Sequence, residues 1–515
     1  MRLALSHKIR EIDIYSSEVL GIPLIDLMDR SGGAVERVLR DHVAKGSRVV
    51  ILAGSGNNGG DGYALATRIL DDYDCTVYDI FSCGQKTNEG RYFRDEYLLR
   101  RGNLKQFEFS DSEFSEITNA DCIVDAVFGT GFVGDMPEKL DLLIAAVNSS
   151  TRAYKIAIDV PLGVNADNGS ISRAYACSVN VTVALSFIKP GLVSYPARSF
   201  VGRIVYDDIG LPIDKIIKAF EFNFNLVDNK LASSLLPKRP LDSNKGTFGK
   251  LLMLTGSEKY RGAAYLSLEA ALRGGVGLVT YTGVSSLVGE LSARFPEAIY
   301  EPREKDEPSQ DEIDKIIALS ARHTAVLVGS GSSVTEGLFS CVCRLLNTEG
   351  APIILDADAI NAMSDRRDEA LEILKNSKRR VILTPHPLEF ARLFGTDVAS
   401  VQSQRIEKAV SFAKEYNCIL VLKGAGTIVT DGVSVYINST GSSALSKAGS
   451  GDVLAGLIAS VTASGLDPIY AAAISVYFHG LAADVLKDEL SVFGVTPSDL
   501  PREIARQMGL ASKDM

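Results

Sequence analysis

Residues 49–70 read VVILAGSGNNGGDGYALATRIL. An apolar β-rich run, Val49 to Ala53, feeds a glycine-crowded turn, Gly54 to Gly62, and then a helical pattern from Tyr63 to Leu70. A strand that enters a helix through such a turn is half of a parallel crossover unit, so this stretch predicts an α/β fold. The alternation recurs along the chain. Strand-like runs at Thr76 to Ile80, Cys122 to Ala126, Lys155 to Ile158 and Val181 to Ser186 make one series. Lys250 to Leu254, Ala325 to Val328, Pro352 to Leu355, Val381 to Leu383, Ile419 to Leu422 and Thr427 to Thr430 make a second. Between them, Pro212 to Pro240 has neither a clear strand nor a glycine loop, which places a domain boundary near residues 220–228 and divides the chain into 1–222 and 223–515. The charged stretch Glu301 to Asp314 reads as an exposed loop running into a helix.

At 515 residues the chain exceeds what one hydrophobic core supports. A net charge of −10 leaves no diffuse basic face for a nucleic-acid backbone or an anionic membrane, so an anionic ligand must be held locally. The longest apolar candidate, Tyr470 to Leu486, is interrupted by His479 and Asp484. The N-terminal residues offer no signal core, and a cytoplasmic protein is expected. Seven cysteines without zinc spacing read as small buried hydrophobes, and the five histidines form no metal cluster.

The glycines between Gly54 and Gly62 let backbone N–H groups approach a phosphate at a helix start; a bland βα turn needs fewer of them. The first six residues also fit G-x-G-x-x-G, with Asp79 twenty residues beyond Gly59 where a ribose-binding acid would sit. That reading implies a dinucleotide oxidoreductase but leaves the second domain unexplained. Asp125 in VDAVFGTG and Asp159 in IDVPLG stand at strand ends, where ligand crevices open in parallel sheets; each alone also fits a simple turn cap. Lys189 could add a cation there. In the second half, SKAGSGDVLAG (Ser446 to Gly456) offers an anion hole at a helix start, with Asp452 placed as a general base rather than a simple first-turn acid. KGAGTIVTDG (Lys423 to Gly432) combines a strand end, a lysine and a glycine turn. No G-x-x-x-x-G-K-[ST] occurs, which argues against a P-loop enzyme.

Taken in order, GSGNNGGDG, VDAVFGTG, IDVPLG and the Lys189 segment, then DSNKGTFGKLLMLTGS, RFPE, DADAIN, LTPHP, KGAGTIVTDG and SKAGSGDVLAG, closely resemble the bifunctional NAD(P)H-hydrate repair family, in which an NAD(P)HX epimerase is fused to an ADP-dependent (S)-NAD(P)HX dehydratase. The resemblance runs from about Ser6 to beyond Pro501. It implies a Rossmann-like three-layer sandwich followed by a ribokinase-like α/β domain, with NADHX, NADPHX and ADP as partners, no nucleic acid or membrane, and room for a homo-oligomer.

By the same resemblance, Asn57, Asn58, Gly59, Gly60 and Asp61, together with Gly129, Thr130, Gly131, Phe132, Val133, Gly134, Asp135 and Asp159, would bind the hydrate in the first domain. Asp159 and Lys189 would be its acid/base groups, and Asn58, Asp125 and Leu162 would hold potassium. In the second domain the hydrate would meet Ala263, Gly331, His386, Pro387, Leu388, Glu389, Phe390, Ala391, Arg392 and the base Asp452. ADP, carried with magnesium, would lie on Lys423, Gly424, Ala425, Gly426 and Thr427, and on Ser442, Ser443, Ala444, Leu445, Ser446, Lys447, Ala448, Gly449, Ser450 and Gly451. Several positions depart from the family pattern. Leu162 replaces a serine, so only its backbone carbonyl could meet an ion; GSGSS (Gly329 to Ser333), Leu388, Ala444 and Ala448 also differ. The chief alternative is a small-molecule kinase of the ribokinase-like class fused to a non-catalytic nucleotide-binding domain, or a pure binding scaffold in the first half.

Overall fold

Among the described residues, seven parallel strands carry the first half: Arg48–Ala53 (β1), Asp74–Asp79 (β2), Asn103–Gln106 (β3), Cys122–Ala126 (β4), Tyr154–Ile158 (β5), Val181–Leu185 (β6) and Arg203–Asp207 (β7). Their order is β3-β2-β1-β4-β5-β6-β7, a doubly wound sheet whose direction of growth reverses between β1 and β4. Alternation along β1 feeds two cores. Val49, Ile51 and Ala53 pack with helices Leu24–His42 and Asn57–Ile69, whereas Val50 and Leu52 pack with Lys139–Ser149 on the opposite face. The result is a three-layer sandwich. In this computed structural model, residues 1–131 and 136–513 are described.

The second half contains Lys250–Leu254 (β8), Leu278–Val284 (β9), Ile299–Arg303 (β10), Ala325–Val328 (β11), Ile353–Leu355 (β12), Val381–Leu383 (β13), Ile419–Leu422 (β14), Ile428–Thr430 (β15) and Val435–Asn438 (β16). They lie in the order β10-β9-β8-β11-β12-β13-β14-β15-β16. Pairing is parallel up to β14 and antiparallel from there. Helices Arg261–Arg273 and Ser450–Ala463 lie on this sheet in close contact, because a Cβ on Gly456 would come 2.1 Å from the Ser267 carbonyl oxygen. Helix Pro468–Gly494 is long and apolar enough to cross a membrane by composition, but most of it is buried within this half. Its apolarity serves the core.

Two compact units divide between Phe224 and Asn225, with Met1 belonging to the second. The stretch without a clear strand holds helices Ile213–Ala219 and Asn229–Leu235 and a short strand, Phe224–Val227. The charged run begins inside β10, then reaches helix Gln310–Ser320 through a capping box of Ser309 and Glu312. Five cysteines are buried, but Cys83 is exposed and Cys343 half-buried.

Candidate active sites

The first site lies where the sheet order reverses. A cavity of about 440 Å³ opens past the carboxyl ends of the strands. Ser55, Gly56, Asn57, Asn58 and Asp61 line it after β1, and Val127, Phe128, Gly129, Thr130 and Gly131 after β4. Asp159 follows β5, and Ser186 and Lys189 follow β6. Helices Ser6–Glu18 and Leu24–His42 add Arg10, Asp13, Met28 and Ser31.

The helix after β1 begins at Asn57, not Tyr63. Glycine disfavours a helix interior, yet here close packing requires it. A Cβ on Gly59 would come 1.8 Å from the Gly54 carbonyl oxygen, and one on Gly60 would meet Met28 at 2.6 Å. Gly59 and Gly60 therefore seat the first turn and do not line the cavity, leaving the orphan N–H groups of that turn and the side chains of Asn57, Asn58 and Asp61 at its wall. Phe132, Val133, Gly134 and Asp135 lie outside the described residues.

Asp159 holds a left-handed backbone, φ 65°, a costly conformation for a non-glycine residue that is typical of functional sites. Its carboxylate accepts from the Leu185 N–H at 3.2 Å and from the Lys189 ammonium. Lys189 is 1% exposed and also donates to the Leu185 carbonyl at 2.8 Å. Burial, with Asp159 nearby and Lys189 opposing, pushes Asp13 up to about 6. Burial, then Asp159 and Asp13, raise Asp61 well above the usual carboxylate range.

Asp125 is fully buried at the end of β4, where it accepts from the Val127 N–H at 3.2 Å and the Leu162 N–H at 2.6 Å. Burial still pushes it up to about 6. Asn58 donates to the Phe128 carbonyl at 2.9 Å, while its Oδ1, also buried, has no hydrogen-bond partner among the described residues. An orphaned amide oxygen and a buried carboxylate are hard oxygen donors that suit a potassium ion. Leu162 fits less well: its side chain is in the core and its carbonyl accepts from the Cys177 N–H at 2.8 Å. Asp79, the candidate ribose acid, accepts from the Tyr63 hydroxyl at 2.6 Å and from Arg94 at 3.3 Å. It serves packing between helix and strand.

The second site gathers Asp356, Glu389 and Asp452 around Lys423, with Asp358 beside them. Asp356, buried just past β12, accepts from Ser330 Oγ at 2.8 Å, Thr384 Oγ1 at 2.7 Å and the Lys423 ammonium at 3.0 Å. Asp358 accepts from the Ser333 N–H, and Glu389 from the His386 N–H. Asp452 stands in the first turn of helix Ser450–Ala463. Burial, then Asp356, push it up to about 7 against the opposing Lys423, with Asp358 and Glu389 adding to the rise. Burial works against the Lys423 ammonium, but Asp356, Glu389 and Asp452 hold it charged. A Cβ on Gly451 would lie 3.4 Å from Lys423 Nζ, so the ammonium sits at this helix start.

Around this centre, Gly331 adjoins Ala263, since a Cβ on the glycine would meet the alanine Cβ at 2.5 Å. His386 accepts the Leu388 and Glu389 N–H groups at Nδ1, capping helix Pro387–Phe394, and burial holds its pKa below the usual value. Leu388 and Arg392 are exposed. Phe390 and Ala391 point into the core, Phe390 packing against Phe394 and Phe412, so neither faces the site. Gly424 (φ 134°) and Gly426 (φ 63°) shape the turn that carries Ala425 and Thr427. Gly449 (φ 102°) caps the helix. Ser442 Oγ and Ser450 Oγ are buried without hydrogen-bond partners among the described residues. Ser443, Ser446 and Ala448 are exposed, whereas Ala444 and Leu445 pack on the core. Lys447 instead donates to the Phe493 carbonyl at 2.6 Å and to that of Val495, bracing the loop from behind.

Sequence reading missed Asp13, Arg10 and Lys86 at the first cavity, and Arg405 and His479 at the second site. Arg405 donates to the Leu422 and Lys423 carbonyls, and His479 Nε2 to the Ser450 carbonyl at 3.0 Å. Buried and pushed down to about 4, His479 is neutral and steadies the helix start.

A family model described as NAD(P)H-hydrate dehydratase matches residues 251–506, and one described as YjeF-related protein N-terminus matches residues 24–191. A bifunctional NAD(P)H-hydrate repair enzyme of Moorella thermoacetica is 34% identical over 94% of this chain and 92% of its own. The chain belongs to the bifunctional NAD(P)H-hydrate repair enzymes. The Escherichia coli member of this repair family is 31% identical over 96% of this chain and 91% of its own. A solved ribokinase-like superfamily protein from Enterococcus faecalis, 24% identical, matches with a TM-score of 0.50 over 57% of this chain and 98% of that chain. This likeness gives the fold of the dehydratase half.

Proposed function

We propose that this repair-family chain returns hydrated NADH and NADPH to use: residues 2–224 interconvert the (6R) and (6S) hydrates, and residues 225–515 dehydrate the S form at the expense of ADP. The observation that carries the reading is Asp452, a carboxyl near neutrality beside Lys423 at a glycine-capped helix start. Such a group takes a proton at working pH.

In the dehydratase, Asp452 removes the proton of the C6 hydroxyl as that oxygen attacks the terminal phosphorus of ADP and AMP leaves. Lys423 and the N–H groups of Gly449, Ser450 and Gly451 receive the developing charge. The C6–O bond then breaks, phosphate departs and the C5 proton is lost, giving NAD(P)H, AMP and phosphate. Magnesium bound to the nucleotide phosphates needs only one or two carboxylates, which Asp358 or Glu389 can supply. In the epimerase half, Asp159 is the first proton-transfer group, and the Lys189 ammonium that donates to it fixes its carboxylate in place. Potassium would be held by Asn58 Oδ1 and Asp125, where it would offset the buried carboxylate.

The test is to incubate the chain with mixed NADHX epimers and ADP, with ATP in parallel, and follow recovery of NADH absorbance. Complete conversion of both epimers is expected. Conversion of only half the mixture removes the epimerase assignment, and no conversion with either nucleotide removes the dehydratase.

A further inference from the structure

We infer that Asp13 is a second catalytic carboxyl of the first site, facing the same ring carbon as Asp159. This rests on the epimerase reading above. Inverting C6 needs one group to protonate the departing oxygen and another to deprotonate the water that returns on the opposite face. Asp159 can be only one of them. Lys189 is poorly suited to be the other, because its buried ammonium is already given to Asp159 and the Leu185 carbonyl.

Asp13 comes from a different element, helix Ser6–Glu18, and lines the cavity together with Asp61, Asp159 and Lys189. Three carboxyls thus face one ammonium. The two carboxyls other than Asp159 respond differently. Burial, then Asp159 and Asp13, raise Asp61 well above the usual carboxylate range, whereas burial pushes Asp13 up to about 6, where it can both give and take a proton at working pH. Among the described residues, the remaining charged groups that line the cavity are Arg10, Lys86 and Glu89, the two cations being exposed.

The step balances without a further reagent. Asp13 gives its proton to the C6 hydroxyl, the C6–O bond breaks with its electron pair leaving on water, and the ring nitrogen lone pair forms the C6=N⁺ bond. Water then attacks the other face, the nitrogen recovers its pair, and Asp159 takes the released proton. The reverse direction exchanges the two roles.

The experiment uses the full chain and follows the R and S hydrates chromatographically without nucleotide. A wild-type chain that does not accelerate interconversion would remove the epimerase reading itself, before any variant is made. Given wild-type activity, Asp13→Asn should lose at least ~100-fold in kcat, keep NADHX binding, lose the limb near pH 6 from its pH–rate profile, and leave ADP-dependent dehydration of the S hydrate unchanged. Asp13→Glu should recover part of the rate and a shifted limb. An Asn variant within threefold of wild type overturns the proposal. So does an Asp13→Ser variant that, like the Asn variant, loses NADHX binding together with the fold of the first unit, since Asp13 would then be structural.

Discussion

If Asp452 is the dehydratase base, its titration should govern how the second half responds to pH. Its carboxyl is carried from an ordinary aspartate value to about 7, first by burial and then by Asp356, with Asp358 and Glu389 adding and Lys423 opposing. The base must be ionised, so kcat/KM should follow the ionised fraction. That fraction is about 0.09 one unit below the pKa and about 0.91 one unit above it, a tenfold rise between pH 6 and pH 8 for a single site. Asp358→Asn removes one of the like charges and should move this limb to lower pH. Asp452→Asn should abolish the limb together with at least ~100-fold of the rate. The assay is NADH recovery from purified S hydrate at saturating ADP and magnesium, with initial rates taken from pH 5.5 to 9. A flat profile in the wild type, or an Asp358→Asn limb displaced to higher pH, would refute the electrostatic argument.

Asp452→Asn should also stabilise the fold at alkaline pH. A folded pKa raised from 3.8 to about 7 means stability that is complete below about pH 4 and lost as pH rises through 7. The variant escapes that loss, with an upper limit of roughly 4 kcal/mol at pH 8 and no gain at pH 3.5, as read by thermal melts at both pH values. Gly456→Ala should cost about 1–3 kcal/mol, because its Cβ would meet the Ser267 carbonyl oxygen at 2.1 Å; a melt equal to wild type would mean the two helices part freely. Leu162→Ser should cost about 2–5 kcal/mol and leave the potassium concentration for half-maximal epimerase activity unchanged, since the side chain points into the core. A lower half-activation concentration would show that the hydroxyl reaches the ion.

Several inner strands were legible because their residues are apolar on both faces, whereas Leu278–Val284 and Val435–Asn438, whose runs are broken by threonine, glycine and tyrosine or asparagine, were not. Cys122–Ala126, Lys250–Leu254, Ala325–Val328, Val381–Leu383 and Ile419–Leu422 match their expected bounds. The edge strands were not. Asn103–Gln106 and Arg203–Asp207 carry polar and charged residues, so their pattern is diluted by solvent exposure. The helix start at Asn57 was hidden by glycines, whose poor propensity is overridden by contacts with Gly54 and Met28 that only the fold creates. Asp13 was hidden for another reason. In SHKIREIDIYSSE it looks like one more polar residue on an amphipathic helix, and no local signal distinguishes a polar face turned to solvent from one turned to a cavity.

Each site sets several carboxyls around one lysine, buried Lys189 in the first and half-buried Lys423 in the second, and this has a consequence for binding. Asp13, Asp61 and Asp159 face Lys189; Asp356, Glu389 and Asp452 surround Lys423, with Asp358 acting on Asp452. Crowding keeps some of these acids near neutrality, which suits proton transfer, but the same charge repels a dinucleotide or a nucleoside diphosphate. Affinity must then come from other groups. In the first site these are the helix start at Asn57 and the exposed cations Arg10 and Lys86; in the second they are the glycine-capped start at Ser450 and the Lys423 ammonium. Removing an inner acid should therefore lower turnover while leaving ligand binding equal or tighter. Removing Arg10 or Lys86 should raise KM with little change in kcat.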